Sequence, residues 1–199
     1  MPDISLPSKL IFATHNENKT AEVRKLLPPQ LRLFSLGDLG FYDEIPETGS
    51  TLEENARIKA YTIWMRTKIS CFSDDTGLEV DALGGRPGVF SARFAGNSAS
   101  SDENITKLLN EMSGAVSRKA WFRTIICLIT KKGEFYFEGE IQGTIAHKKS
   151  GEMGFGYDSV FIPMGQEKSF AEFSLQEKNT VSHRAQAVHK LVDFLSDMD

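Results

Sequence analysis

The sequence predicts an α/β fold built on a mixed sheet, and three observations carry that reading. The first is the opening of the chain. An apolar run at Lys9–Thr14 (KLIFAT) precedes a segment from Asn18 to Leu27 that sets Ala21, Val23, Leu26 and Leu27 along one side, and a short apolar run at Leu31–Ser35 follows. Strand, amphipathic helix, strand is the β-α-β start of a sheet with helices packed on it. The second is a hairpin signal, in which Trp121–Thr130 and Glu134–Ile145 flank Lys131-Lys132-Gly133. The third is Ser50-Thr51-Leu52-Glu53, a Ser-x-x-Glu capping pattern ahead of the stripe Leu52, Ala56, Ala60 and Ile63.

The remaining elements follow in order. Pro28-Pro29 stops the first helix. The capped helix ends near Thr67, and Ile69–Asp75 reads as a buried strand that closes on two adjacent carboxylates. Gly84-Gly85-Arg86-Pro87-Gly88 demands a loop. Asp102–Met112 reads as a helix and Tyr157–Pro163 as a strand after the glycine-rich Gly151–Gly156. A last helix begins near Ser182, with Ala185, Val188, Val192 and Leu195 as its buried stripe.

With 199 residues, 40% apolar and 25% charged, the chain has ordinary globular composition and is long enough to bury roughly 70% of its unfolded surface. Cys71 and Cys127 both sit in apolar runs and read as buried free thiols. The stretch MPDISLPSKLIFA lacks a basic n-region followed by a long apolar run, and no apolar run approaches the ~20 residues that span a bilayer. These features lead us to expect a cytoplasmic protein without a membrane partner. A net charge of −4 with no basic stripe argues against a nucleic-acid polymer as partner.

Several short segments are chemically suggestive. Thr14-His15-Asn16-Glu17-Asn18-Lys19 leads from a strand into a helix N-terminus, where free N–H groups, the helix dipole and a lysine favour an anion. Helix capping by Asn16 or Asn18 explains the same residues. Glu47, Asp74 and Asp75 are hard oxygen ligands of the kind Mg²⁺ takes, one or two carboxylates together with substrate phosphates. They also suit turns and caps. Asp75-Thr76-Gly77 spells the turn of an aspartic protease, but that site needs two aspartates from two copies sharing a proton, and a second acid at Asp74 would disturb it. Lys59 on the capped helix is either a placed cation or a lysine lying along apolar surface. Phe155-Gly156-Tyr157-Asp158 offers an aromatic face for a base, or a turn with core aromatics. Lys178, His183 and Arg184 are donors around the start of the last helix, where a solvated first turn is the alternative.

Taken in order, these motifs point one way. The series T-H-N-E-N-K, E-T-G-S-T-L-E-E-N-A-R-I-K-A, S-D-D-T-G-L-E-V-D-A-L-G-G-R-P-G-V-F-S-A-R-F-A-G, G-F-G-Y-D and S-H-R closely resembles the non-canonical purine nucleoside triphosphate pyrophosphatases, also called the inosine triphosphate pyrophosphatase family, from about Lys9 to Leu195. The resemblance implies a single elongated, two-lobed domain over 1–199, with a long central mixed sheet flanked by helices and a nucleotide cleft between the lobes. It implies a homodimer that uses Mg²⁺ to hydrolyse ITP, dITP and XTP to the monophosphate and pyrophosphate, clearing deaminated purines from the nucleotide pool. By the same resemblance, Thr14, His15, Asn16, Glu17, Asn18 and Lys19 hold the triphosphate with help from Lys59. Glu47 and Asp75 hold Mg²⁺, and Asp75, supported by Asp74, activates water. Thr76 touches the substrate, and Phe155, Gly156, Tyr157, Asp158, Lys178, His183 and Arg184 form the base pocket. A donor from His183 or Arg184 would then meet the 6-oxo group of inosine and face the 6-amino group of adenine unpaired. His15, Thr76 and Ser159 depart from the residues usual in that family. A pyrophosphatase for modified pyrimidine or methylated nucleotides, and a nucleotide-binding module without turnover, are the competing readings.

Overall fold

The computed structural model describes residues 9–198. In chain order the elements are β1 (Lys9–Phe12), α1 (Glu17–Leu26), β2 (Arg32–Ser35), α2 (Leu52–Thr67), β3 (Cys71–Val80), β4 (Pro87–Gly88), α3 (Ser101–Glu111), β5 (Lys119–Thr130), β6 (Gly133–Ile145), β7 (Phe161–Pro163), α4 (Leu175–Val181) and α5 (His183–Asp197), with short 3₁₀ turns between some of them. The strands form one mixed sheet in the order β2-β1-β3-β5-β6-β7, and β4 pairs with β3. β1 runs parallel to both β2 and β3, whereas β4 on β3 and β7 on β6 are antiparallel. The α/β class and the mixed sheet are as the sequence predicts. Among the described residues, no helix is long and apolar enough to cross a membrane.

Contacts divide the chain into two compact units. Among the described residues, the first comprises 9–75, Thr124–Gly139 and 184–198. Its core joins Leu10 and Phe12 of β1, Val23 of α1, Phe72 of β3, Ile126 and Leu128 of β5, and Ala187, Val188, Leu191 and Leu195 of α5. The Phe12 and Phe72 rings stack at 4.5 Å, locking the two parallel strands together. The last helix carries the expected stripe, except that Leu191 is fully buried while Val192 is only partly so. Both cysteines are free and buried. Burial disfavours the thiolate and pushes Cys71 up to about 12 and Cys127 to about 11.

The second unit comprises Thr76–Arg123 and Glu140–His183. Leu78 and Val80 of β3, Ile105, Leu108 and Met112 of α3, and Phe122, Tyr157, Val160, Phe161 and Phe170 make its core. Gly77 is required here by close approach, because a Cβ on it would lie 2.8 Å from the Gly88 carbonyl oxygen across the β3–β4 pair.

Several elements differ from the sequence expectation, among them Pro87–Gly88, which pairs as β4 inside the expected loop. The α2 cap is Thr51, whose hydroxyl accepts from the Glu54 N–H, while the Glu54 carboxylate accepts from the Ser50 N–H and hydroxyl. The expected Ser50/Glu53 pair is thus displaced by one residue, since Thr51-x-x-Glu54 has the same spacing. β3 does not stop at Asp75 but continues to Val80. Asp158–Val160 is a 3₁₀ turn, which leaves only Phe161–Pro163 of the expected strand. The short α4 was not anticipated, although its capping box, Ser174 with Glu177, is written in the sequence.

Candidate active site

The extension of β3 decides how Asp74 and Asp75 work. Side chains of a strand alternate between faces. Adjacent carboxylates inside one strand therefore point in opposite directions, and the partners on each face confirm it. Phe72 joins the core under α1 and α5, while the Cys71 thiol donates to the Ala60 carbonyl of α2 at 3.2 Å. Asp74 follows Phe72, and Asp75 follows Cys71.

On the α1/α5 face, Asp74 is 1% exposed and held by two cations. Lys19 Nζ of α1 donates to its Oδ1 at 3.0 Å, and Arg184 Nε of α5 to its Oδ2 at 3.0 Å. Arg184 Nη1 also donates to Glu22 at 2.5 Å, and both of these side chains are buried. Burial alone would raise the Asp74 carboxyl, but Lys19, Arg184 and Lys59 overcome it and hold Asp74 well below the usual carboxylate range. Burial lowers Lys19 despite Asp74 beside it, whereas Arg184 is raised by Asp74 and Glu22 against the pull of burial.

On the α2 face, Lys59 Nζ lies between two carboxylates, 2.5 Å from Glu47 Oε1 and 3.2 Å from Asp75 Oδ1. Burial pulls the ammonium down, but Asp75 and Glu47 raise it overall, so Lys59 stays charged. Asp75 is shifted the other way. Burial raises its carboxyl, and Glu47 and Asp74 add to that, more than Lys59 and Lys19 offset. A carboxyl raised above its ordinary value, beside a carboxylate with a depressed one, is the kind of split that assigns different tasks to two acids.

The loop from β1 into α1 is a capped helix start. Asn16 is the N-cap, and its Oδ1 accepts from the N–H groups of Asn18 at 3.0 Å and Lys19 at 3.2 Å. The Thr14 hydroxyl accepts from Asn16 N–H, and His15 Nε2 pairs with the Asp43 carbonyl. His15, Glu17 and Asn18 are exposed. This first unit therefore brings together Thr14–Lys19, Glu47, Lys59, Asp74, Asp75 and Arg184.

The second unit gathers a separate group. Asp158 accepts from Lys178 Nζ at 2.6 Å and from the Phe155 N–H at 2.8 Å. The Lys178 ammonium lies 4.9 Å from the centre of the half-buried Phe155 ring and 5.5 Å from that of Phe170. Gly154 has φ 75° and Gly156 φ 60°, so the backbone can turn tightly enough to fold Asp158 back. The Tyr157 hydroxyl donates to the Ser91 carbonyl at 2.9 Å, which makes this ring a core anchor. The His183 ring stacks on Phe122 at 4.7 Å. Thr76 is half-buried in β3.

A sequence model of the Ham1 family matches residues 10–194. The chain belongs to the Ham1 family. Among curated relatives, it is 50% identical over 188 residues to the dITP/XTP pyrophosphatase of Porphyromonas gingivalis, covering 94% of this chain and 97% of that one. The dITP/XTP pyrophosphatase of Flavobacterium psychrophilum is 43% identical over 189 residues, 95% of this chain and all of that one. The solved Ham1 protein of Staphylococcus aureus superimposes with a TM-score of 0.86 at 35% identity, covering 96% of this chain and 100% of that one.

Within this Ham1 chain, two buried polar residues matter that the sequence reading passed over. Glu22 falls beside Val23, three residues after Lys19, and closes the Lys19–Asp74–Arg184–Glu22 chain. Asn55 is fully buried on α2. Each had a visible signal, a polar side chain at helical spacing inside an apolar stripe. As for a metal, Glu47 and Asp75 already bracket one cation, the Lys59 ammonium, so the donor set fits a hard divalent ion. Among the described residues, no three His, Cys, Asp or Glu side chains form a ready metal cluster. An ion here would complete its shell from phosphate and water, as Mg²⁺ commonly does.

Proposed function

We propose that this chain hydrolyses the non-canonical purine nucleoside triphosphates dITP, XTP and ITP to the monophosphate and pyrophosphate, and so removes deaminated purines from the nucleotide pool. One observation carries the assignment. A Ham1-family chain, matched over nearly its full length by curated relatives named dITP/XTP pyrophosphatase, places two carboxylates around one lysine ammonium beside a second, separately neutralised aspartate.

In this reading Lys19 and the α1 N-terminus receive the triphosphate, with Thr14, His15, Asn16, Glu17 and Asn18 shaping the loop. Glu47 and Asp75 would hold Mg²⁺, and the ion would supply neutralisation of phosphate charge and a more acidic water. Asp75 takes the proton of the attacking water, whose oxygen bonds to the α-phosphorus as the bond to the bridging oxygen breaks and pyrophosphate leaves. Lys59 offsets charge that develops on the leaving pyrophosphate. Asp74 orients Lys19.

Phe155 gives the base a ring to stack on. Lys178 lies over one face of that ring, Asp158 holds the Phe155 N–H, and His183 and Thr76 contact the substrate. Arg184, whose Nη1 and Nε are engaged by Glu22 and Asp74, is the remaining base-pocket residue of this reading. The same reading has a homodimer, on the strength of the family resemblance alone, and a cytoplasmic location, on the sequence features given above.

The test is release of pyrophosphate and orthophosphate, with Mg²⁺, from dITP, XTP, dATP and dGTP. Pyrophosphate from the first two is expected. Orthophosphate would mean cleavage at another bond, and no release would favour a binding module.

A further inference from the structure

Beside the direct bridge that Lys59 makes to Glu47 and Asp75, a second side chain of α2, Asn55, ties two separate parts of the acidic cluster to this helix. It is 0% exposed. Its Nδ2 donates to Asp75 Oδ2 at 3.3 Å, on the carboxylate oxygen that Lys59 does not take. Its Oδ1 accepts from the Gly49 N–H at 2.8 Å, two residues beyond Glu47. The Glu47 segment has no regular secondary structure from Tyr42 to Ser50. Asp75, by contrast, is fixed inside β3.

The chemistry of the pair selects an amide. One partner is a backbone donor and the other a carboxylate acceptor, so the side chain must accept at one end and donate at the other. A carboxylate cannot donate to Asp75 when ionised, and an aliphatic chain does neither. The crowding at Gly49 tells the same story. A Cβ on Gly49 would lie 2.8 Å from Asn55 Oδ1 and 2.6 Å from Glu54 Cβ. The loop approaches α2 this closely only because residue 49 has no side chain.

We propose that Asn55 is a positioning residue that sets the separation of Glu47 and Asp75 by clamping the Glu47 loop, through Gly49, and the Asp75 carboxylate to the same turn of α2. The proposal rests on reading Glu47 and Asp75 as the ion's ligands. Outer-shell partners of this kind are commonly worth about 10- to 100-fold in metal affinity.

Two variants break the clamp from opposite ends. Gly49→Ala pushes the loop off Asn55 without altering a buried side chain. Asn55→Asp keeps the acceptor for Gly49 but puts a carboxylate oxygen against Asp75. The readouts are direct Mn²⁺ titration of the protein without nucleotide, the Mg²⁺ concentration giving half-maximal pyrophosphate release from dITP, and the metal-free melting temperature.

For Gly49→Ala, the Mn²⁺ dissociation constant and the half-saturating Mg²⁺ are both expected to rise about tenfold or more. The maximal rate should recover at high Mg²⁺, a recovery that a merely destabilised protein would not show. Should Asn55→Asp fold poorly, the Gly49→Ala result decides alone. Unchanged metal dependence in Gly49→Ala overturns the proposal, as does an absence of saturable Mn²⁺ binding by the unsubstituted chain. If that chain binds Mn²⁺ but releases no pyrophosphate, the proposed function falls, while the Mn²⁺ titrations still judge Asn55.

Discussion

Exchange Asp74 and Asp75 one at a time for asparagine, and the two variants should fail in different ways. Asp74 is 1% exposed and accepts from Lys19 and Arg184, each at 3.0 Å. Removing its charge leaves a fully buried guanidinium and a largely buried ammonium short of a counter-ion. Breaking a buried ion pair from one side costs about 3–5 kcal/mol. For a chain of this length, each kcal/mol moves the melting temperature by about 2–4 °C, so Asp74→Asn should melt about 6–20 °C lower. Asp75 differs because burial already works against its ionised form, and its partner Lys59 has a second carboxylate, Glu47, at 2.5 Å. An amide there has no charge to bury, and Asp75→Asn should cost about 1 kcal/mol, the centre of the range for single substitutions. Its turnover should nonetheless fall by about 100-fold or more, the usual worth of a positioned base. Scanning calorimetry at pH 7 without metal, and pyrophosphate release from dITP at saturating Mg²⁺, read the two quantities. Equal melting losses in both variants, or near-normal turnover of Asp75→Asn, would refute the division of labour between the two faces of β3.

Three further outcomes are expected. The stabilisation from Asp74 has a definite pH window: because its folded carboxyl is depressed, the benefit is complete above the unfolded value of ~3.9 and is lost as pH falls below it. The melting-temperature gap between the parent and Asp74→Asn should therefore close on acidification below pH ~4, and a gap that widens there would contradict the sign. Lys19→Ala should weaken dITP binding about tenfold or more while leaving deoxyinosine binding nearly unchanged, since a charge-assisted phosphate contact is worth about 1.5–3 kcal/mol; calorimetric titration of both ligands separates the two, and equal losses would move the phosphate contact elsewhere. Gly154→Ala combines a left-handed backbone at φ 75° with a Cβ 2.2 Å from Asp158 Oδ2, so it should cost more than the ~1–2 kcal/mol of the backbone term alone by prising Asp158 from Lys178. Urea unfolding measures it, and a neutral result would mean that the turn relaxes freely.

What the sequence made legible was whatever is local. The β-α-β opening, the hairpin at Lys131-Lys132 and the α5 stripe rest on periodicity and turn chemistry within a dozen residues, and they appear where expected. The reach of β3 was harder to see. Asp74-Asp75-Thr76-Gly77 reads as a turn by composition, because Asp and Gly favour turns. Tertiary partners override that preference, with cations waiting on both sides and the Gly88 backbone packed against Gly77. The pairing of Arg184 with Glu22 joins residues 162 apart in sequence, and no local pattern encodes it. The base-pocket role that family resemblance gave Arg184 meets this pairing as a constraint: its Nε and Nη1 are engaged with Asp74 and Glu22.

That constraint explains why the cluster can be built before any substrate arrives. Lys19, Lys59 and Arg184 stand against Glu22, Glu47, Asp74 and Asp75, so three cations face four carboxylates within one unit of the chain. Each buried charge has a partner, and the desolvation cost of a lone buried ion, several kcal/mol, is avoided. The pairings are unequal, however. Arg184 and Asp74 are almost fully buried, at 2% and 1% side-chain exposure, whereas Glu47 retains 28% and Lys19 14%. The inner pair is a fixed brace, and the outer groups are the ones that solvent and an anion can reach. In the proposed reading, a triphosphate competing for Lys19 and Lys59 would meet cations whose carboxylate partners stay behind, Glu47 and Asp75 among them as the proposed ligands. Exchange of partners, rather than creation of new charge, is the least costly way for a site of net charge near zero to accept a polyanion together with a divalent ion.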